Sequence, residues 1–505
     1  MTNGLIFFLL TLLGSVWLDA AVRPRNVWRW RRRGMSLLLP TMTALFGGVL
    51  AATGSPPVSA ALAIAVMALF TVTSNAKHAM LGEPLLFSDL ALIAGLVRHP
   101  RFYFTAVSGR QRWMLAIGAA ILLPALVVLF VPRPAPHIVG LALLLLSITA
   151  LLFLLSAEAS RRMAPIPDVD SDVARYGLVA TLLVYWRRWH SMPDPGFCPP
   201  LPIGRGEGRR LQAELAPDLI VIVQCESFAD PVELTGDHND ALPGLTHART
   251  MAWQWGDLQV SGFGAYTMRT EYGVLFGRSE ADLGFRRYDP FLTAQGEISY
   301  ALPARLNGYG YSNLFVHPHD MRFYGRDGLM PAIGFDRLIG EEHFAYPPKD
   351  GGRYVDDRTL GAAIGDLIDA AVGPTLIYAV TMENHGPWDT DRSPGSPGGL
   401  DSYLAHVRSS DAMLTDLIER LSGVNRSAML VFFGDHRPSI PGVTKPQDGR
   451  HTPYVMLRFA DDGRIVPADH QRCALSPDGL HRAILDGVRL SDTSDVATSA
   501  DNGIC

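Results

Sequence analysis

Cysteine is scarce in this chain. Four residues in 505, Cys198, Cys225, Cys473 and Cys505, form no Cys-x-x-Cys pair and no zinc-finger spacing. A disulfide scaffold and a structural zinc module are therefore excluded as organising principles. A Cys473–Cys505 bridge would need an oxidising compartment, and nothing in the sequence supports it. Positive charge is not in surplus either. The formal net charge is −5, which leaves no electrostatic case for nucleic acid. No segment repeats with a period of about 20–50 residues, so solenoids and propellers are excluded. The first apolar run has no basic start, and six arginines follow it (Arg23, Arg25, Arg29, Arg31, Arg32, Arg33). It is not a cleavable signal peptide.

What is abundant is apolar sequence, 48% of residues, crowded into the first third. Five stretches approach the roughly 20 residues needed to cross a bilayer: Gly4–Val22, Met35–Thr53, Val58–Ser74, Trp113–Val131 and Ile138–Leu155. One such stretch could be a buried core helix; five in succession predict a membrane anchor. Arg23–Arg33, and the loop carrying Lys77, Arg98, Arg101 and Arg110, belong on the cytoplasmic side. Five crossings leave the carboxyl-terminal part inside and a sixth puts it outside, so charge does not decide the side. Two shorter runs, Pro84–Val97 and Tyr176–Trp186, are too short to span and suit the membrane surface.

A chain this long needs at least two domains. The expected division is a transmembrane domain over 1–160, a surface helix and linker over 161–215, an α/β domain over 216–485 and a flexible tail over 486–505. Met192–Gly208, rich in proline and glycine, reads as linker. Beyond Pro217 four strand-like runs each end in a candidate ligand: Asp218–Glu226, Tyr311–His317, Thr375–His385 and Ala428–His436. Between them lie helix-like patterns. Over Tyr403–Leu421, residues Leu404, Val407, Met413, Leu414, Leu417, Ile418 and Leu421 fall mostly on one face. Near-continuous apolar strands alternating with helices predict a mostly parallel sheet covered on both sides.

Open α/β sheets carry their chemistry at the carboxyl ends of the strands. Glu226, Asp435 and His436 offer two carboxylates and an imidazole, a donor set that suits Mn²⁺, Mg²⁺ or Zn²⁺ without choosing among them. The Gly-rich piece from Ser261 to Tyr272 brings two threonines, Thr267 and Thr270. A threonine hydroxyl is a poor nucleophile until a metal lowers its pKa; the alternative is a helix N-cap. Arg326 has the planar fork that phosphate prefers. His385 has the proton affinity of a general acid or base. Arg269 and Arg322 read as solvated charges, His451 as a loop residue within reach of the site, and Cys225 as a small core group.

These pieces carry a resemblance. Gln224-Cys-Glu-Ser-Phe228, Thr267-Met-Arg-Thr-Glu-Tyr272, Phe315-Val-His317 with Phe323-Tyr-Gly-Arg326, Thr381-Met-Glu-Asn-His-Gly-Pro387 and Gly434-Asp-His436 resemble, in order, the motifs of the lipoteichoic acid synthase family. That family comprises sulfatase-like membrane phosphoglycerol transferases of the alkaline-phosphatase superfamily. The resemblance implies an α/β fold with a multi-span helical membrane domain followed by a sulfatase/alkaline-phosphatase-like sandwich. It implies a divalent metal, Mn²⁺ first and Mg²⁺ or Zn²⁺ as alternatives, on Glu226, Thr267, Asp435 and His436. Thr267 would be the covalent nucleophile, with Thr270 as runner-up. His317, Tyr324, Arg326 and His385 would contact the phosphoglycerol head group. Tyr324 and Gly325 stand where the family often has tryptophan and asparagine, which bears on head-group preference.

The function implied is transfer of phosphoglycerol from phosphatidylglycerol to a hydroxyl of an envelope glycan, glucan or glycerol-phosphate polymer. The place implied is the bacterial inner membrane, with the catalytic domain on the periplasmic or outer face. The alternative within the superfamily is a phosphoethanolamine transferase acting on lipid A or another glycan. A sulfatase is disfavoured, because the Cys-x-Pro/Ala-x-Arg run converted to formylglycine is absent. An inactive sensor with the same fold is the reading from another class, and metal affinity separates it.

Overall fold

Where the sequence runs apolar for about twenty residues, the chain is helical. The computed structural model describes residues 2–25, 31–89, 113, 117, 130–156, 162–202, 216–345, 354–388, 399–466 and 471–489. Four helices among them are long and apolar enough to cross a membrane: α1 (Thr2–Ala20), α2 (Arg31–Thr53), α3 (Pro56–Leu81) and α4 (Pro134–Ser156). They coincide with four of the five expected stretches. The fifth, Trp113–Val131, falls almost wholly outside the described residues, as do Cys505, the tail from Ser491, most of the linker after Pro202 and the second half of Pro84–Val97. The apolar face of α4 is turned outward: Leu145, Leu152 and Phe153 are 56%, 65% and 71% exposed. That is the wrong side for water and the right one for lipid. These helices and the segment after them form one compact unit, Met1–Pro193; the other is Asp194–Cys505.

The first unit closes with two short helices, α5 (Val169–Tyr176) and α6 (Leu178–Ser191). Asp168 caps α5 by accepting from the Ser171 amide. The chain then turns at Gly177, whose φ is +87° and whose missing Cβ would fall 2.0 Å from an oxygen of Asp19. Only glycine permits that approach. The Leu178 amide donates to Asp19 Oδ1 at 3.0 Å, so α6, which holds most of the short run Tyr176–Trp186, packs against the membrane helices.

The second unit is built on one eight-stranded sheet. Its strands are β1 (Leu219–Cys225), β2 (Gln254–Gln259), β3 (Ser312–Val316), β4 (Arg337–Ile339), β5 (Thr375–Val380), β6 (Ala428–Gly434), β7 (His451–Phe459) and β8 (Gln471–Arg472). They lie in the order β4-β3-β5-β1-β6-β7-β2-β8. The four strands expected from sequence are β3, β5, β1 and β6, side by side and mutually parallel. β7 runs antiparallel to β6 and to β2.

Both faces of the sheet are covered, as continuous apolar strands require. Ile220, Ile222, Met429, Val431 and Phe433 enter one core with α7 (Thr267–Phe276) and α10 (Pro477–Arg489). Their neighbours Leu219, Val221, Val223, Leu430 and Phe432 enter the other with α8 (Asp357–Ala370) and α9 (Gly399–Gly423). The apolar face expected for α9 is the buried one, from Leu404 to Leu421.

Candidate active site

The site begins with strand register. β1 and β6 pair in parallel with Cys225 opposite Gly434, so the next residues, Glu226 and Asp435, emerge together at the carboxyl edge. Gly434 is required there: a Cβ would lie 2.0 Å from the Phe228 carbonyl. Ser227 then takes a left-handed backbone conformation, φ +50°. Its amide donates to Asp435 Oδ1 at 2.8 Å and its hydroxyl to Glu226 Oε1 at 2.9 Å. The Glu226 amide donates to Thr381 Oγ1, just past β5, at 3.1 Å. Three adjacent strand ends thus hold the two carboxylates.

Glu226, Asp435 and His436 offer ligand atoms that all lie within 4.8 Å of one another, and all three residues are buried. His436 Nε2 stands 3.3 Å from Glu226 Oε1 and 3.8 Å from Asp435 Oδ2. Its Nδ1 faces the Arg437 carbonyl at 3.1 Å. A proton on Nδ1 satisfies that carbonyl and leaves Nε2 free to ligate. Asp435 Oδ2 is buried with no hydrogen-bond partner. A buried carboxylate oxygen without a donor is costly, and a cation among the three side chains removes that cost. The donor set therefore fits a divalent metal.

The protein's own electrostatics show the same tension. Burial, then the Glu226 charge, push Asp435 up to about 7. Burial works against the His436 cation, yet the Asp435 and Glu226 carboxylates outweigh it and hold the imidazole up to about 9. Glu226 is likewise held below its usual range against its burial, chiefly by the charge on His436. Two carboxylates in one dry pocket need positive charge, from a proton or from a metal.

Thr267 is the first residue of α7, after Tyr266 in a left-handed conformation (φ +79°). Its hydroxyl donates to Glu226 Oε2 at 3.3 Å. Thr270, one turn on, donates instead to the Asp435 backbone carbonyl at 2.7 Å and is fully buried. The two threonines are thereby separated: one faces the carboxylates, the other locks the β6 end.

The remaining expected residues form a second group. His317 follows β3 and is 2% exposed. Its Nδ1 meets the Val380 carbonyl at 3.1 Å and its Nε2 meets Arg326 Nη1 at 3.3 Å. Burial, and then the Arg326 charge, hold this imidazole well below its usual pKa, so it is neutral. Arg326 spends Nε and Nη2 on the two oxygens of Glu271, at 3.0 and 2.5 Å, and lies over the Tyr324 ring. Its fork is closed on a carboxylate inside the protein. Tyr324 is half-buried, edge-on to Phe291. His385, half-buried after β5, is edge-on to Tyr354.

Three minor expectations turn out otherwise or acquire detail. Arg269 is buried, not solvated: its guanidinium stacks over Tyr266 and Tyr288, because the left-handed turn at Tyr266 folds that ring back over it. His451 opens β7 rather than a loop, and bonds Glu233 and Arg437. Cys225 is a core group, though it also touches Thr381 and Asp357. Arg322 is solvated, paired with Asp320. The sequence reading gave no role to Ser227, Thr381 or Glu271. Each stands inside a quoted motif, Ser227 and Glu271 next to a residue that was singled out and Thr381 four positions before His385, which is the signal that would have found them.

The family model described as Sulfatase matches residues 218–464. The capsular polysaccharide biosynthesis protein RkpI of Rhizobium meliloti is 30% identical over 84% of this chain and 81% of its own length. Phosphoglycerol transferase I of Salmonella arizonae is 27% identical over 50% of this chain, but only 31% of its own length is covered. The lipooligosaccharide phosphoethanolamine transferase A of Neisseria meningitidis superposes with a TM-score of 0.51, over 96% of this chain and 95% of that one, at 14% identity; that likeness is one of fold. A membrane-anchored chain with this sheet, these motifs in this order and a relative matching over most of its length belongs to the sulfatase-like, lipoteichoic-acid-synthase-like family of the alkaline-phosphatase superfamily.

Proposed function

We propose that the protein is a phosphotransferase that moves phosphoglycerol from phosphatidylglycerol to a hydroxyl of an envelope glycan, through a covalent intermediate on Thr267. The observation that carries this is the Thr267 hydroxyl, 3.3 Å from Glu226 within the Glu226, Asp435 and His436 group. The relatives named for phosphoglycerol transfer and capsular polysaccharide biosynthesis support donor and acceptor class respectively. Glucan or a glycerol-phosphate polymer serves the same chemistry as acceptor. A membrane-anchored enzyme meets its lipid donor in the bilayer, on the periplasmic or outer face where envelope glycans are.

Glu226, Thr267, Asp435 and His436 would hold a divalent cation, Mn²⁺ being the preferred assignment, and it would supply the positive charge that acidifies the Thr267 hydroxyl and neutralises a phosphoryl oxygen. Thr267 Oγ attacks phosphorus, the bond to diacylglycerol breaks, and the threonine proton ends on the diacylglycerol oxygen. An acceptor hydroxyl then attacks, the phosphorus–Thr267 bond breaks, and its proton returns to threonine. His385 carries the proton in both steps. The amino end of α7, where Thr267 stands, favours an anion. His317, neutral and oriented by Arg326, contacts the glycerol hydroxyls with Tyr324; Arg326 contributes its charge rather than an open fork.

Incubation of the full chain in lipid with labelled phosphatidylglycerol tests this. Diacylglycerol release and a phosphoglycerol adduct on Thr267, seen by mass spectrometry, are expected. Release undiminished by Thr267→Ala would reject the covalent route. Preferential use of phosphatidylethanolamine would reject the donor and favour the phosphoethanolamine alternative.

A further inference from the structure

The first unit has a cavity for which the transfer chemistry has no use. It measures about 420 Å³, where the end of α4 meets α6, and is lined by Leu155, Val184, Arg187, Arg188, Ser191 and Met192. A cavity of that size is in the range, about 300–1,000 Å³, of small-ligand sites. Its lining divides by chemistry. Leu155 and Val184 are buried apolar side chains. Arg187, Arg188 and Ser191 bring hydrogen-bond donors. Arg188 donates to the Pro165 carbonyl at 3.4 Å. Arg187 is half-buried, and among the described residues no carboxylate pairs with it. A guanidinium in a cavity, without a carboxylate, calls for an anion.

The surroundings say which kind. Leu141, Leu145, Ile148 and Leu152 are exposed on α4 at intervals of four, three and four residues, so they form one stripe. It ends one turn short of Leu155, at the cavity. Trp186, 47% exposed, stands next to Arg187 and stacks with His190. Exposed tryptophan beside arginine at the end of an apolar helix marks the head-group level of a bilayer. A free phosphate would satisfy Arg187 but gain nothing from the apolar floor or the stripe.

We propose that this cavity holds the head group of an anionic phospholipid, its phosphate on Arg187 and an acyl chain along the α4 stripe. The site needs a lipid whose phosphate carries uncompensated negative charge, and its existence does not depend on which lipid Thr267 consumes.

The test is retention of dioleoyl phosphatidic acid against dioleoyl phosphatidylcholine by the full chain in detergent micelles, followed by native mass spectrometry. Phosphatidic acid has no head-group alcohol to transfer, so binding is read apart from turnover. Wild type is expected to prefer phosphatidic acid. Arg187→Gln should cut its retention about fivefold, and Arg187→Lys should restore part of it. Met192→Trp, which fills the cavity and keeps every charge, should cut it as well. Arg175→Gln, off the cavity, should leave it unchanged. Equal retention of the two lipids would overturn the proposal. So would an equal loss in Arg175→Gln, or displacement of phosphatidic acid by millimolar inorganic phosphate. Diacylglycerol release from phosphatidylglycerol, measured on the same preparations, reports separately on the transfer reaction.

Discussion

The hydroxyls of the membrane helices and the site residues of the second unit find their partners at different distances along the chain. In the membrane unit hydroxyls bond within their own helix: Thr11 to the Phe7 carbonyl, Ser15 to Thr11, Thr41 to Leu37, Thr43 to Leu39 and Thr71 to Met67. Each partner lies four residues back, where the helix itself supplies it. In the sulfatase-like unit the partners are far apart in sequence. Glu226 reaches Thr381, Ser227 reaches Asp435, and Arg326 reaches Glu271. Lipid offers no hydrogen bonds, so a membrane helix finds its partners inside the protein, in these hydroxyls one turn back, with Thr71 also reaching Leu18 and the Leu178 amide reaching Asp19 as the longer links. A site that gathers opposite charges must draw on several strands. The first arrangement is expected to tolerate substitution better than the second, where one loss leaves a distant partner stranded.

The largest test of that contrast is loss of the gathered group. Asp435→Ala or Thr267→Ala should cut diacylglycerol release at least about a thousandfold, while the protein still folds and inserts. Activity kept by both variants would place the chemistry elsewhere.

Next comes Glu271→Ala. It strands the Arg326 guanidinium, 2% exposed, without its counterion, at a cost of about 3–5 kcal/mol in denaturant unfolding of the second unit. A loss below about 1 kcal/mol would mean that the pair is effectively solvated.

A smaller effect is expected from acid. Burial depresses His481, bonded through Nδ1 to the Val274 carbonyl, to about 4. The unfolded chain, with an ordinary histidine near 6.5, binds more protons between those values. This contribution is therefore complete above pH 6.5 and is lost as pH falls toward 4, by about 3 kcal/mol. Unfolding midpoints of wild type and His481→Gln, compared across that window, measure it. A parallel pH dependence in the two would assign the acid sensitivity to other groups.

The finest comparison sets one hydroxyl against another. Thr381→Val removes the acceptor for the Glu226 amide and should cost about 1–3 kcal/mol. Thr43→Val removes a bond internal to α2 and should cost less than about 0.5 kcal/mol. Equal costs would abolish the distinction between the units.

Four strands, their parallel class and the candidate ligands at their ends were legible because each is a continuous apolar run stopped by a charged or polar residue. The antiparallel half of the sheet was not. β2, Gln254–Gln259, mixes polar and apolar residues, and β7 opens on a histidine and carries Pro453 opposite Asp257, features that read as loop. The resemblance ranked Thr267 above Thr270, but that one meets Glu226 and the other the Asp435 carbonyl was closed to sequence, since the two differ only by one turn of a helix that had yet to be placed against β6.

Local pattern determined the membrane helices, the strand class and the identity of the ligand candidates, since each depends on residues adjacent in the chain or one helical turn apart. Tertiary structure alone decided that Arg326 closes on Glu271, that Asp435 keeps an unpartnered oxygen and that Arg187 lines a cavity. Those outcomes depend on distances between segments far apart in sequence, and strand register and helix packing set such distances.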